Sequence, residues 1–596
     1  MSGIVGIVNL GGRPVCKNVL SRMARELEAR APDGSDVWVD GTVGLGYAHL
    51  KLTRDDARHR QPVTLDQQAW IVADARLDNR EELASALELE GSDAALILAA
   101  YRHYDERFVE HLEGDFAFAI WDKSCDKLIC VRDQLGVRPF YFISLDDVFL
   151  FSTDIEALKQ HPRFRSELDE EFIADFLYFG DPLDAESTVY RQVKRLPAAS
   201  MLVVSHQTVR LRSYWSVEHV PAVRYRDERE YLDDFNELFE RSIRHRIQGV
   251  DAGILLSGGM DSGSIAAVAA ALKRSEPGKV HGYSLSSADL LPEDDEDLFT
   301  RQTAEHLGIP VDFQPLDSYP LFARRDYGKA YPSEPVPSPD LAVHLDRYTQ
   351  FEERNTRIVL TGEAGDTVFT GSAPRGPLLR VADDVFRYFR RTGSIRGLRL
   401  RSLLPFRTKR VWKPGHPGWI DPAFAKRTGG RDRWERFWRE QSGTNDDKAQ
   451  IGGLCRGRFF SHYEVLRLPY VVKHPFLDLR LMTFLLGIPS HQKSNKGLLR
   501  RAMEGHLPRD IVCRPKTPLC GDVIQARIGR GDLSGGDSSR MREILSPYID
   551  CERYFHELES RGKSGNQGST WNSWFVIHPR ALADWLVYRH LDREIE

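Results

Sequence analysis

A layered α+β domain, then an α/β domain on a parallel sheet with a helical extension, is the architecture predicted from this sequence. Three observations predict it. The chain has 596 residues, too many for one compact core and enough for two. Residues 1–215 run through many short apolar and aromatic stretches with Gly turns and few helical patterns, as sheets layered with helices do. Beyond residue 231 single strands alternate with helices, the pattern of parallel βαβ units.

In the first domain, Ile4 to Leu10, Val37 to Tyr47, Ala69 to Ala73, Phe116 to Trp121, Lys127 to Arg132 and Phe140 to Ser144 have strand length and composition. Helical periodicity covers Val19 to Arg30, Ser92 to Tyr104 and Glu170 to Phe176. The polar stretch 216–230 contains Pro221 and reads as a linker. Residues 231–596 form the second domain. Glu230 to Ile247 is an amphipathic helix; Ala252 to Leu256, Val280 to Leu285 and Arg357 to Thr361 are buried strands; Ser264 to Leu272 and Leu298 to Leu307 are helices between them. From about Val381 onward the chain reads as mainly helical.

Composition excludes several classes. Apolar residues make up 41% and charged residues 28%, as in soluble globular proteins. The 82 Lys/Arg and 87 Asp/Glu leave a net charge of −5, against a polyanion-binding protein as a whole. Cys16, Cys125, Cys130, Cys455, Cys513, Cys520 and Cys551 form no CxxC pair, so neither a disulfide framework nor a structural zinc site is expected. No apolar run approaches the roughly 20 residues of a membrane span, and the N-terminus lacks the basic region of a signal peptide. A cytoplasmic location is the expectation.

Two charged segments interrupt this average. Arg375 to Arg436 holds 17 Lys/Arg against 5 Asp/Glu, with Phe386, Tyr388, Phe389, Trp412, Trp419 and Trp434 among them. It reads as a solvated helical face or a docking surface for a peptide or protein. The acidic run Glu293-Asp294-Asp295-Glu296-Asp297 reads as a solvated loop, with a metal- or phosphate-associated role as the alternative.

The chemistry lies in Leu256-Ser257-Gly258-Gly259-Met260-Asp261-Ser262, between a buried strand and a helix. Small residues there let backbone N–H groups approach a phosphate, and the helix N-terminus adds its positive end. Ser257 and Ser262 can donate hydroxyl hydrogen bonds, and Asp261 can hold Mg²⁺ against phosphate oxygens. With no Lys in the loop and no GxxxxGK[ST], it is not a Walker A loop.

SGGMDS resembles the PP-loop of ATP pyrophosphatases, which cleave ATP to AMP and pyrophosphate while activating a carboxyl or carbonyl group. Thr361-Gly362-Glu363-Ala364-Gly365-Asp366, His474-Pro475-Phe476-Leu477-Asp478 and Arg514-Pro515-Lys516 resemble three further motifs of the asparagine synthetase family. Pro32-Asp33-Gly34, Val131-Arg132-Asp133, Gly136-Val137-Arg138-Pro139 and Tyr214-Trp215 extend the resemblance over the first domain. It implies an Ntn-hydrolase-like glutaminase domain and a PP-loop (adenine nucleotide α-hydrolase-like) adenylating domain.

The first domain departs from that family. Ser2 stands where the family has its Cys nucleophile, His49-Leu50 where an Arg-Leu holds the glutamine carboxylate, and Asp74-Ala75-Arg76 where Asn-Gly-Glu builds the oxyanion hole and grips the amine. An Asp at an oxyanion position repels the charge that develops there. The resemblance therefore implies a retained, inactive glutaminase domain and an amine not drawn from glutamine. β-Lactam synthetases and lasso-peptide cyclases share this combination, and Ala73 to Arg80 looks more like the lasso cyclases.

Carried over residue by residue, the resemblance implies ATP at Leu256, Ser257, Gly258, Gly259, Asp261, Ser262 and Gly362, with Mg²⁺ on Asp261 and Asp366. Ser284 either faces the adenine or ribose or is an ordinary strand-end serine. Lys516 is expected to stabilise negative charge in the transition states. Glu363 is expected to orient or deprotonate the amine, or else to cap nearby backbone. The family's Glu-x-Arg before PFLD is replaced by Val471-Val472-Lys473, so a carboxylate used by relatives is missing. The implied partners are a precursor or core peptide, a leader peptidase and a leader-binding protein; neither nucleic acid nor a membrane is expected.

Overall fold

The structure is a computed structural model. It describes residues 2–53, 56, 59–205, 208–292, 294–323, 326–369, 416–442, 451–453, 466–514, 522–531, 538–563 and 570–595. Lys516 and residues 375–415 of the basic segment, with Arg390, Arg391 and Arg401, lie outside the described residues.

The first domain contains β1 (Gly3–Val8), α1 (Lys17–Glu26), β2 (Ser35–Asp40), β3 (Val43–Ala48), β4 (Val63–Thr64), β5 (Ala69–Leu77), α2 (Arg80–Ala86), α3 (Asp93–Tyr104), β6 (Gly114–Asp122), β7 (Lys127–Arg132), β8 (Tyr141–Ser144), β9 (Phe149–Ser152), α4 (Ile155–Lys159), α5 (Glu170–Phe179), β10 (Lys194–Arg195), β11 (Ser200–Val204) and β12 (Val209–Ser213). Two six-stranded sheets run in the orders β10-β8-β9-β1-β3-β2 and β12-β11-β7-β6-β5-β4. Ile4, Leu45 and Phe151 of one sheet meet Val72, Ala119 and Leu202 of the other in the core between them. Helix α1 covers the outer face of the first sheet and α3 that of the second, giving four layers.

Local chemistry sets the element ends. The run predicted as one strand from Val37 to Tyr47 is a hairpin, because Gly41 adopts φ 56° and turns the chain. Strand β5 outruns its prediction to reach Leu77. Its polar end is held by the register Arg76↔Asp115, where opposite charges face across the ladder at 2.9 Å. Ser92 caps α3 by accepting from Ala95 N, and Asp169 caps α5 by accepting from Glu171 N and Phe172 N.

The second domain opens with α6 (Glu228–Ile247), which starts at a capping box between Asp227 and Glu230. Then follow β13 (Ala252–Leu255), α7 (Met260–Lys273), β14 (Val280–Ser286), α8 (Glu296–Leu307), β15 (Val311–Pro315), α9 (Leu341–Glu353), β16 (Ile358–Thr361), α10 (Gly365–Val368) and β17 (Val471–Lys473). The sheet is β15-β14-β13-β16-β17, parallel throughout. β17 lies inside the stretch read as helical. Three residues are too few to show a period, and only the pairing Ile358↔Val471 to Leu360↔Lys473 makes them a strand.

The two domains share one core. Phe172, Phe176 and Tyr178 of α5 pack with Trp434, Phe575 and Trp585 from the far end of the chain. Buried ion pairs cross the same boundary: Arg195 to Glu334 at 2.7 Å, Arg467 to Asp154 at 2.6 Å and Arg433 to Asp175 at 2.9 Å. The described part of the basic segment belongs to this packing. Trp419 and Trp434 are buried, and Arg427 pairs with Glu170. For residues 416–436 the reading as a free face is therefore corrected: they join the domains. A first domain so placed covers apolar surface of the second whatever its own pocket does.

Candidate functional site

Strand order locates the site. From β13 the chain adds β14 and β15 on one side, then returns to add β16 and β17 on the other. The carboxyl ends of β13 and β16 flank the point where the order reverses, the place where open α/β sheets bind ligands. The loop after β13 is SGGMDS, and the loop after β16 is Gly362 to Asp366.

The first loop is braced from within. Ser262 Oγ accepts from Ser257 N at 3.0 Å and donates to Ser257 O at 3.2 Å. The two serine hydroxyls lie 3.0 Å apart, and Gly259 N donates to Ser257 Oγ at 3.3 Å. Gly259 is the N-cap of α7 and supplies no side-chain cap, which leaves the first-turn N–H groups for an anion. Leu256 packs into the core, so only its backbone borders the loop. Ser284 is buried one register step beyond the Tyr283 carbonyl, which accepts from Leu256 N at 2.9 Å.

Two glycines let the loops touch. A Cβ on Gly362 would stand 2.7 Å from Ser262 N, and one on Gly365 would stand 2.5 Å from the carboxyl carbon of Asp261. Ala364 takes φ 65° between them, a turn that brings Asp366 towards Asp261. We expect Gly365→Ala to push the Asp261 carboxylate aside. Displacement of about 1 Å at a reacting centre costs about 100-fold in rate, so pyrophosphate release should fall on that scale while circular dichroism stays unchanged.

Sequence reasoning missed Lys496. Its ammonium contacts Asp261 Oδ2 at 2.5 Å and Asp366 Oδ1 at 2.7 Å. Asn495 and Lys496 both adopt positive φ, 56° and 57°, a left-handed turn uncommon for residues other than Gly and Asn that leads into the helix Gly497–Ala502. The only local signal was the turn-like Ser494-Asn495-Lys496-Gly497. Two carboxylates meeting one nitrogen are also close enough to share a small hard cation. Among the described residues no group of three or more His, Cys, Asp or Glu could hold a metal. A two-carboxylate set suits Mg²⁺, whose remaining positions are filled by phosphate oxygens and water.

The other predicted residues separate. The N–H of Glu363 donates to Thr361 Oγ1 at 3.3 Å at the mouth of the site. His474 to Asp478 is an anchor instead: Phe476 stacks on Phe239, and Asp478 caps the helix Leu479–Gly487 and pairs with Arg246 at 3.1 Å. Val471 is fully buried in β17. Lys473 donates to the Arg246 carbonyl at 3.0 Å, and burial beside three guanidinium groups holds its amine well below the usual lysine range.

The pocket of the first domain is a cavity of about 660 Å³ lined by Ser2, Tyr47, His49, Asp74, Arg76 and Lys473 among others. Ser2 Oγ accepts from Tyr47 O–H at 2.8 Å and from Leu50 N at 3.2 Å. Burial keeps the Tyr47 phenol above its ordinary range, so it stays a donor and takes no proton from the serine. Arg76 is engaged by Asp78 and by Asp115 at 2.9 Å. Burial pushes the His49 imidazole below its ordinary pKa, leaving it a poor holder of a carboxylate. We expect Ser2→Ala to leave amide formation within about twofold of wild type, with glutamate release from glutamine undetectable in both chains.

Residues 1–215 match the glutamine amidotransferase domain, and residues 234–465 and 470–539 match asparagine synthase. The glutamine-hydrolyzing asparagine synthetase 3 of Bacillus subtilis is 25% identical over 570 residues, covering 87% of this chain and 86% of the relative. Amidase chyE of Penicillium rubens is 26% identical over 362 residues, covering 57% and 53%. Among solved structures, the B. subtilis glutamine phosphoribosylpyrophosphate amidotransferase with ADP and GMP covers 61% of this chain and 91% of its own, at 12% identity and a TM-score of 0.28. Among the described residues no helix is long and apolar enough to cross a membrane. The chain belongs to the asparagine synthase family, whose members are ATP-dependent amide-forming ligases that release AMP and pyrophosphate.

Proposed function

We propose that this ligase is a macrolactam synthetase acting on a leader-free core peptide. A side-chain carboxylate of an Asp or Glu in the peptide attacks the α-phosphorus of ATP, and pyrophosphate leaves. The peptide's own N-terminal amine then attacks the acyl carbon of the adenylate. AMP leaves, the amine proton passes to a base, and an isopeptide ring closes as in lasso-peptide maturation.

The convergence of Asp261, Asp366 and Lys496 at the sheet's reversal point carries the adenylation half of this reading. SGGMDS takes the phosphates on its backbone N–H groups. Mg²⁺, held by Asp261 and Asp366, would offset phosphate charge. Lys496 and Lys516 supply fixed positive charge for the leaving pyrophosphate. Ser284 and Gly362 border the nucleotide, and Glu363 orients the amine. Folding the peptide so that its two ends meet turns an improbable encounter into a positioned one. A precursor peptide, a leader peptidase and a leader-binding protein are the partners this reading requires.

The engaged Ser2 and Arg76 favour an amine that does not come from glutamine. They favour equally a small-molecule amide ligase, either β-lactam-forming or amine-dependent. Pyrophosphate release separates the readings. Release with ATP and a leader-free peptide bearing Asp or Glu near its start, with loss of one water from the peptide mass, supports the macrolactam. Release with free aspartate and ammonia, and none with any such peptide, overturns it.

A further inference from the structure

Of the acidic run, Glu293 lies outside the described residues, and Asp294 to Asp297 are engaged at the start of α8 although Asp295 is still exposed. Asp297 accepts from Ser286 Oγ at 2.5 Å, and Asp294 accepts from Glu296 N at 3.1 Å. Asp295 pairs with Arg514 at 2.5 Å. The Glu296 backbone closes on Gly258, the first glycine of SGGMDS, where a Cβ would stand 2.8 Å from the Glu296 carbonyl oxygen. The acidic end of α8 is thus packed against the loop that follows β13.

Arg514 closes this contact from the other side. Its Nη1 donates to the Gly258 carbonyl at 2.9 Å, and its Nη1 also lies 3.7 Å from Glu296. Its guanidinium lies over the Phe299 ring at 4.1 Å from the centroid. A Cβ on Gly258 would meet Glu296 O, Phe299 Cβ and Arg514 Nη1 within 2.9 Å, so nothing larger than glycine fits the clamp. A planar fork can serve a carbonyl and a carboxylate while stacking on a ring; a lysine ammonium cannot do all three. The Arg514 backbone is tied as well. Its carbonyl accepts from Arg500 Nη2 at 2.8 Å, and Arg500 lies on the helix Gly497–Ala502 directly after Lys496.

We infer that Arg514 is a positioning residue of the ligase: it clamps Gly258 between the acidic start of α8 and the segment bearing Lys496, and so sets the loop that receives the ATP phosphates. The inference rests on the reading of SGGMDS as the phosphate loop. It assigns a role to two features left without one, the acidic run and the arginine of Arg514-Pro515-Lys516. Hydrogen bonds to charged groups carry about 1.5–3 kcal/mol, which as a binding constant is about 10- to 100-fold.

The test is a titration of the full chain with MgATP and, separately, with adenosine. Arg514→Ala should weaken MgATP binding about 10- to 100-fold and leave adenosine binding within about twofold. Arg514→Lys should lose nearly as much, and Asp295→Asn, on an exposed carboxylate, a few-fold. A general collapse of the fold would move both ligands together and the unliganded melting temperature with them. Should Arg514→Ala fail to fold, Arg514→Lys and Asp295→Asn decide the matter by the same pair of titrations. MgATP affinity within about twofold of wild type in the folded variants overturns the inference. A wild-type chain that binds adenosine but gains nothing from the triphosphate overturns the phosphate-loop reading, and the inference with it.

Discussion

Replacing Lys496 by Met should lower pyrophosphate release about 100- to 1,000-fold, the usual loss when a preorganised charge at a reacting centre is removed. Lys496 sits against two carboxylates, Asp261 at 2.5 Å and Asp366 at 2.7 Å. In water such a cation would contribute little; here its side chain and that of Asp261 are only 15% and 17% exposed, so solvent screens the pair weakly. The methionine retains the apolar stem and loses the charge, so packing is preserved. The variant should melt within a few degrees of wild type and still fail to turn over ATP. Asp366→Asn, on the more exposed partner, should give a smaller loss and shift the Mg²⁺ concentration needed for half-maximal rate upward. A Lys496→Met chain that releases pyrophosphate at the wild-type rate would remove Lys496 from the site.

The largest expected loss of stability follows removal of Arg467. Its Nε donates to Asp154 at 2.6 Å, its Nη1 to the Lys329 carbonyl at 2.9 Å and its Nη2 to the Glu26 carbonyl at 2.9 Å. Asp154 also accepts from Ser333 Oγ at 2.8 Å and from Glu156 N at 3.0 Å while capping α4. One guanidinium therefore joins α1, α4 and the second domain with almost no access to water. Arg467→Ala strands a buried carboxylate, a change that costs about 3–5 kcal/mol. Urea unfolding followed by tryptophan fluorescence should show that loss. The double variant Arg467→Met with Asp154→Asn should lose less, because the buried Asp154 charge is removed with its partner and the Glu26 carboxylate keeps Lys329 at 3.1 Å. An Arg467→Ala midpoint equal to wild type would show that the pair does not hold the domains together.

Legibility followed the range of each interaction. SGGMDS could be placed because its parts are adjacent: six mostly small or polar residues between an apolar strand and an Ala-rich helix make a strand–loop–helix turn by local geometry alone, and they run from β13 into α7. The replacements at Ser2, His49, Asp74 and Arg76 could be read one by one, since each changes the chemistry of its own position, and all four line one cavity. Lys496 could not be read. It lies 235 residues from Asp261, and no periodicity links a turn to a distant loop. The basic segment misled for a related reason. Arg427 and Arg433 look solvated in sequence, yet they pair with Glu170 and Asp175 of the first domain, as long side chains do when stem and charge find separate partners. In the acidic run Asp295 likewise pairs with a distant partner, Arg514.

By itself the sequence determined the two domains, the alternation that makes a parallel sheet, and the small-residue loop between β13 and α7. These depend on side-chain type and spacing within about a dozen residues. Only the tertiary structure decided which charges meet. Strand order places β16 beside β13, which brings Asp366 to Asp261, and the helices after β17 bring Lys496 to both and Arg514 to Gly258. The physical reason is that a carboxylate or guanidinium acts through its neighbours in space, and the order in which a sheet adds its strands cannot be read from any one of them.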